Sequence, residues 1–447
     1  MMEIPLLLVV VIGIALLLLQ ILYFKIPAFV ALLIASIITG ILGGLSGVEV
    51  MQSVEQGMGS TLGFVATVVG LGAIFGGILE KMGGAMAISK GLMKSFGENK
   101  ASSAMLITGF ILAIPVFFDV AFIILVPVIY ALQKSTGKSL LHFGLPLLAG
   151  LAIAHTFIPP TPGPVAVANM INVDLGWVMV MGFLGGLPAA ILGGLFYGKF
   201  ISKKIFITAP SYAESENDPN QELPSFSLIL MVMLVPLLLI ICGSIVKSEL
   251  INIHAVGLKE FLFLIGHPFS ALIIANLIVW YALGIRNGFS PSKLSDISTK
   301  SFKPTGLIIL CTGAGGVFKQ VLMDTGAGNE IARQLSESGL PIVVFAFLAS
   351  AIIRMAQGSA TVAMITAAGL VAPILTIGSF SQPQLATIVL AIASGATILS
   401  HFNDSGFWMV KQYLGMTEKQ TLQTWSVLTT IIALTGFASA MLLFSVF

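Results

Sequence analysis

The chain has 447 residues, of which 57% are hydrophobic and 9% are charged, and its mean hydropathy is +1.04. These values exclude an ordinary soluble domain and indicate a polytopic membrane protein. The formal net charge of +2 favours no particular partner besides the lipid bilayer, and neither nucleic acid nor a bound cofactor is expected.

Long apolar runs predict an all-α fold. Residues 6–22, 29–45, 228–245 and 431–447 form runs that are nearly free of charge. Each is close to the length that a helix needs to cross a hydrocarbon core about 30 Å thick. A β-barrel would instead require short segments of alternating polarity. The acidic start "MMEIPLLL" does not match a cleaved signal peptide, so the first run is expected to be a retained helix.

The first half of the chain, residues 1–200, is predicted to contain five crossings and one re-entrant hairpin. In chain order we expect helices near 4–22, 28–45 and 60–80, a hairpin near 101–134, a broken helix at 141–173 and a helix near 176–200. The segment "AIPVFFDVAF" is too short and too interrupted to cross, and two apolar arms around a polar turn favour a re-entrant hairpin.

The second half, residues 226–447, follows a hydrophilic segment at 201–225 that we interpret as a cytoplasmic linker. It resembles the first half, because Phe75 aligns with Phe318 and Gly83 with Gly326, and further along His155 aligns with His401. Such duplication is typical of transporters built from repeats. A second hairpin is expected near 340–376 and a second broken helix near 384–412. An odd number of crossings per half predicts that the two repeats are inverted.

Positive charge predicts the orientation of the chain. If the N-terminus lies outside, most of the 21 basic residues fall in cytoplasmic loops, which follows the positive-inside rule. We therefore expect both termini on the extracytoplasmic side of the membrane.

Four polar clusters occur at membrane depth, where a polar group must face protein or water and is a candidate for function. "FFDVAF" contains Asp119. The other three clusters and their candidate residues are "AHTFIPPTPGPVA" with His155, Thr156, Thr161 and Gly163, "IRMAQGSATVA" with Arg354, Ser359 and Thr361, and "SHFNDSGFW" with His401, Asn403, Asp404 and Ser405.

Two of these clusters should interrupt a helix. "FIPPTPGP" cannot continue an α-helix, because each proline lacks an N–H and clashes with the preceding turn. The run of Asn, Asp, Ser and Gly in "SHFNDSGFW" favours a similar break by offering side-chain hydrogen bonds to the backbone. The N-terminal ends of half-helices carry partial positive charge, so the two breaks predict a site for an anion.

The ionisable residues each have a functional and a structural interpretation. Arg354 can bind a carboxylate in bidentate geometry, or it can close an internal ion pair with Asp119 or Asp404. Asp119 is a candidate proton carrier, or else a permanently ionised partner for a cation. His155 and His401 either contact the solute or bridge helices by hydrogen bonds. The candidate proton-coupling residues are Asp119, His155 and Asp404.

The chain resembles the gluconate permease family, which contains gluconate:proton symporters and their D-serine and sugar-acid relatives within the ion transporter superfamily. Five motifs carry the resemblance: "IPVFFDVAF", "AHTFIPPTPGPVAVA", "GVFKQVLMDTG", "GSATVAMITAAG" and "SHFNDSGFWMVK". It implies proton-coupled uptake of a small hydroxylated carboxylate. It also implies elevator-type scaffold and transport domains and a homodimer. Two positions depart from the family pattern, since members often carry Glu at Asp119 and His at Thr161, and both lie in the expected site.

Several alternatives stay open at this point. Within the family the substrate could be gluconate, another sugar acid, glycerate or D-serine, and Na⁺ could replace H⁺. A passive channel also tolerates hairpins, but it usually shows rings of like charge or carbonyl filters. A membrane-embedded enzyme would need a metal set or a nucleophile with its base, and none is expected. Cys242 and Cys311 lie in apolar context and are expected to be inert packing residues.

Overall fold

The computed structural model describes residues 5–97, 100–114, 117–209, 223–247, 255–302, 305–327, 330, 333, 339–376, 378–401 and 404–447. Within these ranges all regular elements are helices and no strand occurs. Six of the described helices are long and apolar enough to cross a membrane. The prediction of an all-helical, multi-pass protein is confirmed. The predicted linker lies largely outside the described residues.

The first half contains ten α-helices among its described residues. They are α1 (Leu6–Leu22), α2 (Ala28–Leu42), α3 (Gly47–Lys81), α4 (Gly84–Phe96), α5 (Ala101–Leu112), α6 (Phe118–Thr136), α7 (Leu141–Phe157), α8 (Pro162–Met170), α9 (Leu175–Ala189) and α10 (Gly198–Lys204). A π-helical stretch, Ala190–Tyr197, joins the last two. Helices α5 and α6 occupy the segment predicted as the first hairpin, and the chain leaves the helix between α7 and α8 at the prolines.

The described part of the second half follows a similar order. Its α-helices are α11 (Phe226–Lys247), α12 (Val256–Gly266), α13 (Pro268–Val279), α14 (Pro291–Ser301), α15 (Gly306–Asp324), α16 (Ile342–Gln357), α17 (Ala360–Leu375), α18 (Gln382–Thr397), α19 (Ser405–Leu414), α20 (Glu418–Thr421) and α21 (Val427–Val446). Helices α16 and α17 lie in the segment predicted as the second hairpin. The second helix break separates α18 from α19.

Two helical segments differ from the sequence prediction. Helix α3 begins at Gly47 rather than near residue 60, because Ser46 and Glu49 form a capping box that starts the helix within a polar stretch. Helix α4 was not predicted. It is a short amphipathic helix bounded by Gly83 and Gly97, which both have positive φ, and its apolar content is too low for a spanning segment.

In both halves the first arm of the hairpin packs closely on the first part of the broken helix. Gly150 of α7 allows this contact, since a Cβ atom there would lie 2.1 Å from the carbonyl oxygen of Leu106 on α5. Gly395 of α18 does the same against α16, where a Cβ atom would lie 2.3 Å from the carbonyl oxygen of Phe347. Small residues at such crossings let two backbones approach, as is common in membrane helices.

The helices divide into two groups by packing. Helices α1, α2, α3, α13 and α15 pack against one another, and the hairpins and broken helices pack with α9 and α21. The groups meet mainly where α15 packs on α17 and α3 packs on α8. A hydrogen bond joins them at one end of α8, where the Lys319 ammonium of α15 donates to the carbonyl oxygen of Met170 at 2.6 Å. A cation at a helix C-terminus stabilises that end.

Gly150→Ala should destabilise the protein by about 1–3 kcal/mol, because the added methyl group forces α5 away from α7. Gly63→Ala is the matched control, since a Cβ atom at this exposed position of α3 meets nothing within 4 Å. The control should leave stability unchanged or raise it slightly. Unfolding in detergent measures both, and equal midpoints for the two variants would contradict the close crossing of α5 and α7.

Candidate functional site

A cavity of about 470 Å³ lies where the two hairpins meet the two helix breaks. Its volume is in the range of sites that hold small molecules. Eight of the residues predicted from the sequence line it. They are Asp119, His155, Thr156, Arg354, Ser359, Thr361, Asp404 and Ser405. The structure therefore brings together side chains from all four polar clusters.

Arg354 forms a buried ion pair on the wall of this cavity. It lies in the last turn of α16, which ends at Gly358 in a left-handed conformation. The Arg354 Nη2 atom is 2.5 Å from Asp404 Oδ2, and the two side chains are only 6% and 13% exposed. Its Nη1 atom donates to the carbonyl oxygen of Gly358. Its Nε atom is buried and has no partner among the described residues.

Asp404 connects this ion pair to the second helix break. It is the N-cap of α19, and its Oδ1 atom accepts a hydrogen bond from the Gly406 amide at 3.0 Å. Its Oδ2 atom also accepts from the Ser400 hydroxyl. The Ser400 oxygen in turn accepts from the indole N–H of buried Trp425 at 2.6 Å. One carboxylate thus caps a helix, pairs with a guanidinium and ends a hydrogen-bond chain.

The tip of the second hairpin opens on the same cavity. Ser359 is the N-cap of α17 and accepts from the Val362 amide at 3.4 Å. Its own amide donates to the Gln357 side chain at 3.0 Å, and Thr361 lies in the first turn of α17. Because α17 and α19 both begin at the cavity, the partial positive charge of their N-terminal ends favours an anion there.

Two threonines join the helix breaks. The Thr397 hydroxyl at the end of α18 donates to the Thr156 oxygen at 3.1 Å, and Thr156 donates to the carbonyl oxygen of Ala152. His155 lies beside Thr156 in the last turn of α7, and its ring centroid is 6.3 Å from that of Phe118. The His155 Nδ1 atom is buried and has no partner among the described residues.

Asp119 enters the cavity from the first hairpin. It lies in the first turn of α6, is exposed to the cavity and makes no salt bridge with a described residue. Asp119 and Asp404 therefore line the same cavity. Among the described residues of its lining, the guanidinium is that of Arg354.

Three of the other predicted site residues, Thr161, Gly163 and His401, lie outside the lining of this cavity. Thr161 is buried, and its hydroxyl donates to the carbonyl oxygen of Ile158 beside a much smaller neighbouring cavity. Gly163 packs against Met364, whose sulfur atom would be 2.8 Å from an added Cβ. The Nε2 atom of His401 is 2.9 Å from the carbonyl oxygen of Met355. Asn403 lies outside the described residues.

Sequence reasoning missed several residues of the site. Trp425 and Thr429 line the cavity from the last helical segment, and Thr397 and Cys311 line it from α18 and α15. Trp425 lies in a π-helical stretch, Leu422–Ser426. Its only sequence signal is a tryptophan among polar residues in "QTWS", which does not reveal a hydrogen bond to a distant serine.

Comparison with known proteins gives a consistent result. The sequence profile described as "GntP family permease" matches residues 4–447. The low-affinity gluconate transporter of Escherichia coli K12 is 37% identical over 94% of this chain and 94% of its own length. The gluconate permease of Bacillus subtilis is 34% identical over 98% and 99% of the two chains. The Gnt-II system L-idonate transporter of Escherichia coli K12 is 35% identical over 96% and 97%.

Two solved structures share the fold at 15% sequence identity. The Alcanivorax borkumensis YdaH transporter has a TM-score of 0.61 and covers 89% of this chain and 88% of its own. Neisseria gonorrhoeae MtrF, described within a class of antimetabolite efflux pumps, has a TM-score of 0.65 over 94% and 96% of the two chains.

Arg354→Gln should destabilise the protein by about 3 kcal/mol, because it leaves the Asp404 carboxylate buried without its partner. Adding Asp404→Asn to that variant should restore most of the loss. A double-mutant cycle of unfolding in detergent measures this coupling. The exposed pair of Lys300 and Asp296 is the control, and its cycle should show little coupling. Strictly additive losses at Arg354 and Asp404 would contradict the ion pair.

Proposed function

Because the chain belongs to the GntP family of permeases, and is therefore a transporter and not an enzyme, we propose that it imports a small hydroxylated carboxylate together with a proton. We propose gluconate or a related sugar acid as the substrate. The names of the relatives support this class, since they include gluconate and L-idonate transporters. The observation that carries the proposal is the buried guanidinium of Arg354 on the wall of a polar cavity.

The lining of the cavity suits both parts of such a substrate. A carboxylate matches the fork of Arg354 and the N-terminal ends of α17 and α19. The hydroxyl groups of a sugar acid can exchange hydrogen bonds with the hydroxyls of Thr156, Ser359 and Thr361, which all line the cavity. Glycerate and D-serine carry the same carboxylate with fewer polar groups and are the alternatives within the family.

We propose the proton as the coupling ion, with Asp119, His155 and Asp404 as the groups that could carry it. All three line the cavity, which supports this assignment. Na⁺ is the rival coupling ion. A passive anion channel is the remote alternative, and saturable accumulation against a gradient distinguishes a symporter from it.

We also propose that the two halves are inverted repeats that work by an elevator-type motion. Both halves place a hairpin before a broken helix, which supports the duplication. The close packing of α5 on α7 and of α16 on α18 supports the motion of each hairpin arm together with its broken helix. The positive-inside distribution of basic residues supports extracytoplasmic termini. The homodimer stays a prediction from the family resemblance.

Purified protein in proteoliposomes should accumulate gluconate when the outside is acidic, and Arg354→Gln should abolish this uptake. Arg286→Gln is the matched control, because Arg286 is exposed at the end of a helical segment and should keep uptake. Competition by L-idonate, glycerate and D-serine then ranks the substrates. Removing Na⁺ at constant pH should change nothing. Uptake that persists in Arg354→Gln would show that Arg354 is structural.

If Asp119 carries the coupling proton, Asp119→Asn should flatten the dependence of uptake on pH or abolish uptake, since Asn cannot bind a proton. The initial rate of gluconate uptake is measured between about pH 5 and 8. Asp296→Asn removes an exposed carboxylate and should keep the profile of the unmodified protein. A profile that is unchanged in Asp119→Asn would exclude Asp119 as a proton carrier.

A further inference from the structure

We propose that Asp404 is an internal substitute for the substrate at Arg354, and that the substrate carboxylate displaces it while Asp404 takes up the transported proton. The inference rests on the proposed function and deepens it, because it assigns the coupling step to one pair of residues. It explains why a transporter of anions keeps a carboxylate on its buried guanidinium.

The hydrogen bonds of Arg354 show where a substrate would bind. A carboxylate binds a guanidinium in bidentate form through Nε and Nη2, or through Nη1 and Nη2. Nη1 is occupied by the carbonyl oxygen of Gly358, and Nε is buried with no partner among the described residues. Of the two nitrogen atoms Nε and Nη2, only Nη2 therefore has a partner among the described residues. Asp404 accepts from it through a single oxygen. A bidentate substrate would share Nη2 with Asp404, and the repulsion between two carboxylates at one nitrogen atom favours the release of Asp404.

The charges around Asp404 make this exchange depend on a proton. The surrounding titratable or charged groups are Arg354 on α16, Asp119 on α6, His155 on α7 and Cys311 on α15, while Lys411 on its own helix is paired with Glu418 at 2.6 Å. If a substrate anion entered while Asp404 stayed ionised, three carboxylates would share one buried guanidinium. Such an arrangement is costly at low dielectric, and protonation of one carboxylate relieves it.

The exchange balances in atoms and charge. Before binding, the Arg354 cation is paired with the Asp404 anion. The substrate carboxylate then bonds to Nε and Nη2, a proton from the same side of the membrane adds to Asp404, and the bond between Arg354 and Asp404 breaks. On the other side Asp404 releases the proton, pairs with Arg354 again and expels the substrate. Each cycle carries one proton with one monoanion and moves no net charge.

Ser400 and Trp425 hold Asp404 in place for this exchange. The Ser400 hydroxyl donates to the Asp404 carboxylate, and Trp425 fixes the Ser400 oxygen by its indole N–H. These contacts, with the Gly406 amide, keep the carboxyl group at the cavity after it leaves Arg354. A hydrogen bond to the charged form of a carboxylate also favours that form over the protonated one. Ser400 is thus a positioning residue for the Asp404 carboxylate.

Binding of gluconate to the full-length protein, measured by calorimetry between about pH 5.5 and 8.5, tests the proposal. In the unmodified protein the Kd should rise by about tenfold per pH unit at the alkaline end, since one proton is bound with each substrate. In Asp404→Asn the Kd should be independent of pH and at least about tenfold lower than in the unmodified protein at pH 8.5. Asp296→Asn should behave as the unmodified protein does.

Transport by the same variants gives a second readout. Asp404→Asn should lose accumulation driven by a pH gradient but keep exchange of labelled for unlabelled gluconate, because binding and movement no longer require a proton. The amide oxygen of the new Asn can still accept from Arg354, which favours folding. Loss of both binding and exchange in a folded Asp404→Asn protein, or accumulation that persists, would overturn the proposal.

Ser400→Ala keeps the proposal testable if Asp404→Asn does not fold. Loss of the hydroxyl donor should move the pH at which gluconate binding weakens to a higher value, and an unchanged pH profile would contradict the exchange. The binding measurements distinguish failure of the proposed function from failure of the exchange at Arg354. If the unmodified protein binds no sugar acid, the proposed function fails. If it binds gluconate equally at every pH, the sugar-acid assignment stands and the exchange at Arg354 is wrong.

Discussion

The ion pair between Arg354 and Asp404 is the interaction on which the centre of the molecule depends. It joins the second hairpin to the second broken helix, and both charged side chains are largely buried. Breaking such a pair by removing one residue is costly because the other charge is left buried. Asp404 also caps α19, so the ion pair and the start of that helix depend on one carboxylate. The position of the cavity wall at Arg354 therefore depends on where α19 begins.

Much of this arrangement follows from the sequence by simple physical rules. The prolines after Phe157 end α7 because they cannot continue its hydrogen bonds, and Gly358 ends α16 because it allows positive φ. An arginine within an apolar segment must find an anion, and Asp404 was one of two partners that the sequence left open. The choice between Asp404 and Asp119 depends on how two distant segments pack, and no local pattern contains that information.

Identical residues that align between the two halves do not always occupy equivalent places in the structure, although the helix breaks themselves correspond. The sequence aligns His155 with His401, but His155 lies within the last turn of α7 whereas His401 lies beyond the end of α18. The contact between the two breaks is made instead by Thr156 and Thr397. A buried hydroxyl pair leaves no sequence signal because threonine is common in membrane helices. The indole of Trp425 was overlooked for a related reason, since hydropathy counts its ring and not its N–H.

The glycine crossings explain how a site made of broken helices can be rigid. Gly150 and Gly395 each seat a hairpin arm directly on the backbone of a broken helix, so the hairpins and breaks hold one another in both halves. One hydrogen bond to this group from the rest of the protein, donated by the Lys319 ammonium, reaches the end of α8. Because this group supplies most of the cavity lining, we expect one ion pair to be exchanged for another at Arg354 without a large change of its shape. In the proposed elevator, motion that exposes the cavity to each side would need sliding where α15 meets α17 and α3 meets α8, and also where α1 meets α16 and α11 meets α9.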